Sequence, residues 1–305
     1  MNTPLHLTEE IADALAEQRA VVALESTIIA HGMPYPYNLD TAREIEQQVR
    51  EAGAIPATIA LLDGRMCVGL DEGQLARIAD PKATVHKCSR RDMAYVISQK
   101  ALGATTVAGT LVVAHRAGIR VFATGGIGGV HRGGADTLDV SADLPELARS
   151  RVAVVSAGAK SILDLRLTLE YLETLGIPVV GVGTDEFPAF YTRSSGLQVP
   201  LRLDTPEQIA RLLYTQWACG IDSGILIANP IPRAAEAAHE PIQAAIEQAL
   251  GEAQLQGITG RHLTPYLLDR IQQITEGASL SANIALVLHN ARLGAEVAIA
   301  HAALK

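Results

Sequence analysis

Four places along the chain combine residue types that do chemistry with a spacing that would present them. Glu25 interrupts the apolar run Val21-Val22-Ala23-Leu24 at its carboxyl end, and the polar pair Ser26-Thr27 follows. A carboxyl group beside a buried strand has a raised proton affinity, which suits a general acid; a helix cap or an ion-paired glutamate is the competing reading. Lys160 stands in Ser156-Ala157-Gly158-Ala159-Lys160-Ser161, between an apolar run and a segment of helical period. The positive end of a helix disfavours an ammonium, so a lysine there is expected to favour its neutral amine, which adds to a carbonyl-like carbon. A phosphate-binding or simply exposed lysine is the alternative, but a P-loop is excluded because GxxxxGK[ST] is absent.

The third place is Thr124-Gly125-Gly126-Ile127-Gly128-Gly129-Val130-His131-Arg132-Gly133-Gly134, six glycines in eleven residues behind the apolar run Ile119 to Thr124. Glycine permits positive φ and leaves backbone N–H groups open to an anion, so a phosphate cradle is expected. It is not a dinucleotide fingerprint, since the third glycine of GxGxxG falls on His131. The fourth is the carboxylate series Asp136, Asp139 and Asp143, with Ser141 between the last two. A hard divalent ion takes one or two carboxylates and keeps its waters, so this series suits magnesium or manganese, although solvated carboxylates and helix caps share the pattern.

Such residues need a scaffold that gathers strand ends. Short β-branched runs at Val21 to Leu24, Ala57 to Leu62, Thr105 to Val107, Ile119 to Thr124, Val152 to Ser156, Val179 to Val182 and Ile225 to Ala228 alternate with helical periods. That alternation predicts βα units around a largely parallel sheet. Asp63-Gly64 reads as a hairpin turn before Arg65 to Val68, which makes the sheet mixed. Thr205-Pro206-Glu207-Gln208 carries a capping box with proline at the first helical position, so a helix runs from there to about Cys219. Ile162, Leu165, Leu169 and Leu172 predict a helix starting directly behind Lys160. Beyond about Glu240 the pattern is helical, at Ile242 to Leu250, Pro265 to Ile274 and Ser281 to Ala303, and these segments are expected to cover the sheet. The fold class is therefore three-layer α/β/α, with a central mixed, largely parallel sheet and a helical C-terminal region, in a single domain over residues 1–305. Ligands on such sheets collect at the carboxyl ends of the strands, where Glu25, the glycine-rich segment and Lys160 all fall.

Composition narrows the function. At 305 residues and 48% hydrophobic content, with three Phe and one Trp, the core must be built from Ala, Val, Ile and Leu. A formal charge of -8 without a dense basic stretch excludes a nucleic-acid backbone as partner but leaves room for a small anion. Cys67, Cys88 and Cys219 are odd in number and lack CxxC or metal spacing, which favours a reducing compartment. Glu9, Glu10 and Asp13 stand where a signal peptide needs a basic flank, and no long apolar segment follows, so a cytoplasmic protein without membrane contact is expected.

The segments Ala23 to Pro36 (ALESTIIAHGMPYP), Lys87 to Asp92 (KCSRRD), Gly109 to Gly133, Asp139 to Leu144 (DVSADL), Val155 to Leu165 (VSAGAKSILDL) and Ser279 to Leu286 (SLSANIAL) resemble the pseudouridine-5'-phosphate glycosidases, a family that includes the indigoidine synthase A-like proteins. The resemblance runs from near the start of the chain to its last helix. It implies cleavage of pseudouridine 5'-phosphate to uracil and ribose 5-phosphate, reversibly, through a lysine imine, with a divalent metal, usually manganese, in a homotrimer. It further implies Lys160 as nucleophile, Glu25 as proton donor and Asp139 as metal ligand. Lys87, Val107, Ser141, Ala142 and Asp143 are implied as substrate contacts, with His131 and Asn283 as further members of the site. Some members carry a fused carbohydrate kinase; the matching segments here leave no place for one, so kinase activity is expected to be absent. An aldolase-like lyase using the same lysine and a phosphate-binding module without turnover are the rival readings.

Overall fold

The computed structural model describes residues 4–260 and 263–304. Its strands are β1 (Leu5–Leu7), β2 (Val21–Leu24), β3 (Ile55–Leu62), β4 (Arg65–Val68), β5 (Val85–Cys88), β6 (Leu102–Thr105), β7 (Val121–Ala123), β8 (Val130–His131), β9 (Ala153–Ser156), β10 (Leu163–Asp164), β11 (Val179–Val182), β12 (Leu201–Leu203) and β13 (Ile225–Ala228). Among the described residues, eleven of these form one sheet whose path runs β1-β4-β3-β2-β7-β9-β13-β11-β12, with β6 on β3 and β5 on β6. From β3 to β12 every neighbour along the path is parallel, while β3–β4 and β3–β6 are antiparallel. The sheet is thus mixed and largely parallel, as the alternating pattern predicts.

The central strands β2, β7, β9 and β13 are buried along their whole length. This is why they read as unbroken apolar runs rather than as alternation: both faces are covered. The helix Ala278–Ala302 lies against β2, β7 and β9 and packs on the helices Tyr37–Glu51 and Pro206–Ala218. The helix Val107–Ala117 packs against β1, β2, β3, β4 and β6 and against the short helix Asp143–Leu147. With a core so short of aromatics, closeness is reached through small residues. Gly294, for example, brings the last helix to where an added Cβ would stand 3.1 Å from the Ala123 side chain.

Local signals are realised where the chemistry was specific. Asp63 and Gly64 take φ of 52° and 83°, the double left-handed geometry of a two-residue hairpin turn between β3 and β4. The Thr205 hydroxyl accepts from the Gln208 N–H at 3.3 Å and the Gln208 side chain accepts from the Thr205 N–H at 3.2 Å, opening the helix Pro206–Ala218.

Two expectations require correction. Thr105 to Val107 is not a strand: β6 ends at Thr105, and the Thr106 hydroxyl accepts from the Gly109 N–H at 3.2 Å, so Val107 is the first residue of a helix. The β-branched run hid a threonine N-cap, which ends the strand by claiming a helical N–H. Likewise, no helix starts behind Lys160. The Lys160 N–H donates to the Ile127 carbonyl at 3.0 Å, β10 pairs antiparallel with β8, and the helix Leu165–Thr174 begins only after Asp164 caps it by accepting from the Leu167 N–H at 2.9 Å. The chain runs along the glycine-rich segment and turns at Ser161-Ile162, where the Leu163 N–H donates to the Lys160 carbonyl at 3.0 Å, so the helix-end argument for the Lys160 amine falls away.

Candidate active site

Glu25 directly follows β2 and Thr124 directly follows β7, and the parallel register of the two strands sets their side chains together. The Glu25 carboxyl, only 8% exposed, accepts from the Thr124 hydroxyl and from the Thr27 hydroxyl. Next to it the Ser26 hydroxyl donates to the Ile59 carbonyl at 2.7 Å and accepts from the Thr105 N–H at 2.9 Å, tying the ends of β2 and β6 to the middle of β3. The acid is therefore held by strand ends and hydroxyls, without an ion pair among the described residues.

Part of the glycine-rich segment is bonded to the protein itself, while Gly125 and Gly126 stay on the cavity wall. The Ile127 N–H donates to the Gly158 carbonyl at 3.1 Å, the Gly128 N–H to Asp143 at 2.8 Å, the Val130 N–H to the Thr168 hydroxyl at 3.0 Å and the His131 N–H to the Asp139 carbonyl at 3.0 Å. Glycine is needed here for close approach. A Cβ on Gly126 would lie 2.6 Å from the Phe190 ring, and one on Gly128 would lie 2.2 Å from the Ser141 hydroxyl. Phe190 itself takes φ of 65°, unusual for a bulky residue, and is 2% exposed. The product of this packing is a carbonyl aimed at the catalytic candidate: Lys160 Nζ donates to the Gly126 carbonyl oxygen at 2.8 Å. Asn290, fully buried on the last helix, donates to the Thr124 carbonyl at 2.8 Å and fixes the start of the same segment.

Asp143 has a different task from a solvated carboxylate. One oxygen accepts from the Ala108 N–H and the other from the Gly128 N–H, each at 2.8 Å, which joins the first turn of the helix holding Val107 to the glycine-rich segment. Ser141 accepts from the Asp143 N–H at 3.2 Å. Asp136 is exposed, whereas Asp139 faces the cavity with His131 at its side. Burial lowers the His131 proton affinity, and the Asp139 charge partly offsets this. Among the described residues no three His, Cys, Asp or Glu side chains converge into a metal-binding group. A single carboxylate on a cavity wall, with an imidazole near it, suits only a hard divalent ion that keeps most of its shell as water or substrate oxygen.

Lys87 projects from β5. Burial is the main cause that lowers its proton affinity, the Lys160 ammonium adds to the lowering, and Asp143 and Glu25 oppose it. Among the described residues neither Lys87 nor Lys160 forms an ion pair with a carboxylate. Two cations without direct counter-charges on one wall are a site for an anion or for polarisable carbonyls.

All ten residues singled out from the sequence, Glu25, Lys87, Val107, His131, Asp139, Ser141, Ala142, Asp143, Lys160 and Asn283, line one cavity of about 660 Å³. The same walls hold residues that sequence reasoning passed over: His31, Ser89, Arg90, Arg91, Thr106, Phe190 and, from the helix Leu263–Ile274, Thr264, Pro265 and Leu268. Arg90 is gripped by Glu146, one of whose carboxylate oxygens accepts at 2.6 Å, and the Glu146 side chain is 3% exposed. His31 and Arg90 lay inside quoted segments and gave no periodic or charge signal of their own. Phe190 had none either, since its role depends on a glycine distant in sequence.

The model of the indigoidine synthase A like protein family matches residues 10–300. A pseudouridine-5'-phosphate glycosidase of Geobacillus kaustophilus is 57% identical over 298 residues, which are 98% of this chain and 99% of that one. One of Petrotoga mobilis is 53% identical over 98% of each chain. Among solved structures, the prealnumycin C-glycosynthase AlnA in complex with ribulose 5-phosphate superposes with a TM-score of 0.91 at 42% identity, covering 100% of this chain and 98% of that one. An indigoidine synthase A-like protein of Thermotoga maritima gives a TM-score of 0.88 at 33% identity, over 98% of this chain and 97% of that one. With the family model spanning nearly the whole sequence and relatives above half identity along its full length, this chain belongs to the indigoidine synthase A like family.

Proposed function

We propose that this enzyme cleaves the carbon–carbon glycosidic bond of pseudouridine 5'-phosphate to give uracil and ribose 5-phosphate, with Lys160 as nucleophile and Glu25 as proton donor. One observation carries the reading: an amine held on a backbone carbonyl and a carboxyl group held by two hydroxyls line the same cavity, beside a second cation. The name shared by the relatives supplies the substrate. The ribulose 5-phosphate in the AlnA complex supports a pentose phosphate as part of the ligand.

An ordinary glycosidase protonates a departing oxygen between two carboxylates, whereas pseudouridine leaves through carbon 5 of uracil. Glu25 gives a proton to the ribose ring oxygen as the C1'–O4' bond opens, and the Lys160 amine forms a bond to C1'. Carbon 5 then takes a proton, the C1'–C5 bond breaks, and its electrons stay with uracil while nitrogen and C1' are left as an imine. Water adds to C1', which returns the amine and releases ribose 5-phosphate. The rest of the site holds the substrate: Val107, Ser141, Ala142, Asp143 and Asn283 shape the wall, and Lys87 supplies positive charge. A divalent ion, manganese by family habit, would be held by Asp139 and would organise water around the phosphate.

By the same family resemblance the enzyme works in the cytosol as a homotrimer, which sedimentation would check. No described helix is long and apolar enough to cross a membrane. The decisive assay is uracil release from pseudouridine 5'-phosphate with a divalent cation present. Turnover there, with poor turnover of uridine 5'-phosphate, supports the reading; equal rates on both, or none on either, refute it.

A further inference from the structure

His31 ends the short helix Thr27–His31 two turns from Glu25 and lines the cavity next to Lys87. Its ring is committed on one side only. A hydrogen bond to the Val85 backbone raises its proton affinity, as a carbonyl acceptor does, and since Nε2 is buried without a hydrogen-bond partner among the described residues, that bond is assigned to Nδ1–H. Burial, followed by the Lys87 charge, lowers the proton affinity of the ring, and the imidazole is neutral with its free lone pair on Nε2. A buried acceptor without a donor is costly, and on a cavity wall the missing donor is most economically brought by the ligand.

The chemistry of that donor follows from the tautomer. An unprotonated nitrogen repels a phosphate oxygen, so Nε2 takes an N–H or an O–H. Asp139, Ser141 and Asn283, which suit ribose hydroxyls and a hydrated ion, stand with the glycine-rich segment, and Ser89, Arg90 and Arg91, which suit phosphate, follow Lys87 in the chain with Arg90 held by Glu146, whereas His31 has Ile28 and Gly32 as its cavity neighbours on its own stretch. Beside it Lys87 offers N–H donors in either protonation state. An acceptor next to a donor matches an N–H next to a carbonyl, and uracil held through carbon 5 presents N1–H, C2=O and N3–H in sequence along the edge remote from the sugar.

We propose that His31 and Lys87 together read the uracil ring, with His31 Nε2 accepting from a ring N–H and the Lys87 amine donating to the neighbouring carbonyl. The inference rests on the pseudouridine 5'-phosphate reading above and adds a specificity residue to it. Stabilising that carbonyl also favours uracil as a leaving group, because the electrons released from the C1'–C5 bond pass into the conjugated ring that carries it.

The test is a substrate–variant cycle on kcat/KM. His31→Asn keeps a side-chain N–H for the Val85 carbonyl and removes the pocket acceptor; His31→Gln offers an oxygen near the Nε2 position. Substrates are pseudouridine 5'-phosphate and its N1-methyl and N3-methyl derivatives. The wild-type enzyme is expected to lose on the order of tenfold or more on methylation of the contacted nitrogen, and His31→Asn to lose a comparable factor on the parent substrate. The same methyl group should then cost His31→Asn about tenfold less than it costs the wild type, and His31→Gln should recover part of the parent rate. Whichever methyl shows the coupling identifies the N–H. Equal effects of both methyl groups in wild type and His31→Asn overturn the inference while leaving the glycosidase reading intact; wild-type enzyme that releases no uracil from the parent substrate removes both. Should His31→Asn fail to fold, the wild type alone decides: selective loss on one methylated nitrogen supports the contact, and indifference to both overturns it.

Discussion

Lys160 Nζ donates to the Gly126 carbonyl oxygen at 2.8 Å, and Gly126 can present that carbonyl only because it has no side chain facing the Phe190 ring. Amine position is thus a backbone property. Gly126→Ala would place a Cβ 2.6 Å from the Phe190 ring, where something must shift. We expect a loss of about 1–3 kcal/mol in stability, read by urea unfolding, and a kcat fall larger than that stability change predicts. Phe190→Leu, added to Gly126→Ala, should restore part of both; a double variant no better than the single one would show that the clash is not with Phe190.

A lysine imine leaves a mass signature. Borohydride added during turnover should attach a ribose phosphate mass to the peptide that contains Lys160. Lys160→Ala should lose turnover by a factor on the order of a thousand or more and still bind substrate. Label on Lys87 instead would move the nucleophile to β5.

Asp139→Ala removes the carboxylate that best suits a hydrated ion. Activation by manganese should disappear in this variant while the unfolding free energy changes by less than about 0.5 kcal/mol, because Asp139 is partly exposed and its backbone N–H and carbonyl, which the substitution keeps, bond to Thr137 and His131. Undiminished manganese activation would place the ion on other groups.

His31, His115 and His289 all have proton affinities lowered from the ordinary 6.5, in each case chiefly by burial. The unfolded chain then binds more protons than the native one between the folded value and 6.5, so stability rises with pH across that window. Below the folded values the full destabilisation is present. Thermal unfolding should therefore occur at progressively lower temperature as pH falls from 7 toward 5. His289→Gln should flatten the profile, since its ring is buried near Pro230 and Asn229. A flat wild-type profile would contradict the shifts.

What the sequence revealed and what it hid divide along a physical line. Strand runs such as Val179–Val182 and Ile225–Ala228 were legible because two covered faces demand unbroken apolar residues. The hairpin at Asp63-Gly64 and the cap at Thr205 were legible because each depends on residues adjacent in the chain. Thr106 was misread since β-branching and helix capping pull the same residue in opposite directions. Lys160 was misplaced relative to a helix because its position is set by pairing with Ile127, thirty-three residues away in number, which no local period reports. The glycine-rich segment was found, but not which of its N–H groups the protein itself takes up: those of Ile127, Gly128 and Val130 go to Gly158, Asp143 and Thr168, partners distant in sequence. Gathering all ten chosen residues in one cavity needed the resemblance, since spacing alone does not bring Asn283 to Glu25.

The Asp143 carboxylate, which accepts from both Ala108 and Gly128, clasps three stretches of chain with two oxygens. Two residues before the Gly128 end of that clasp stands the carbonyl that receives the Lys160 amine. The amine and the clasp thus share one short piece of backbone: Gly126 holds Lys160 and Gly128 holds Asp143, so loosening the clasp at Gly128 would also loosen the seat of the amine.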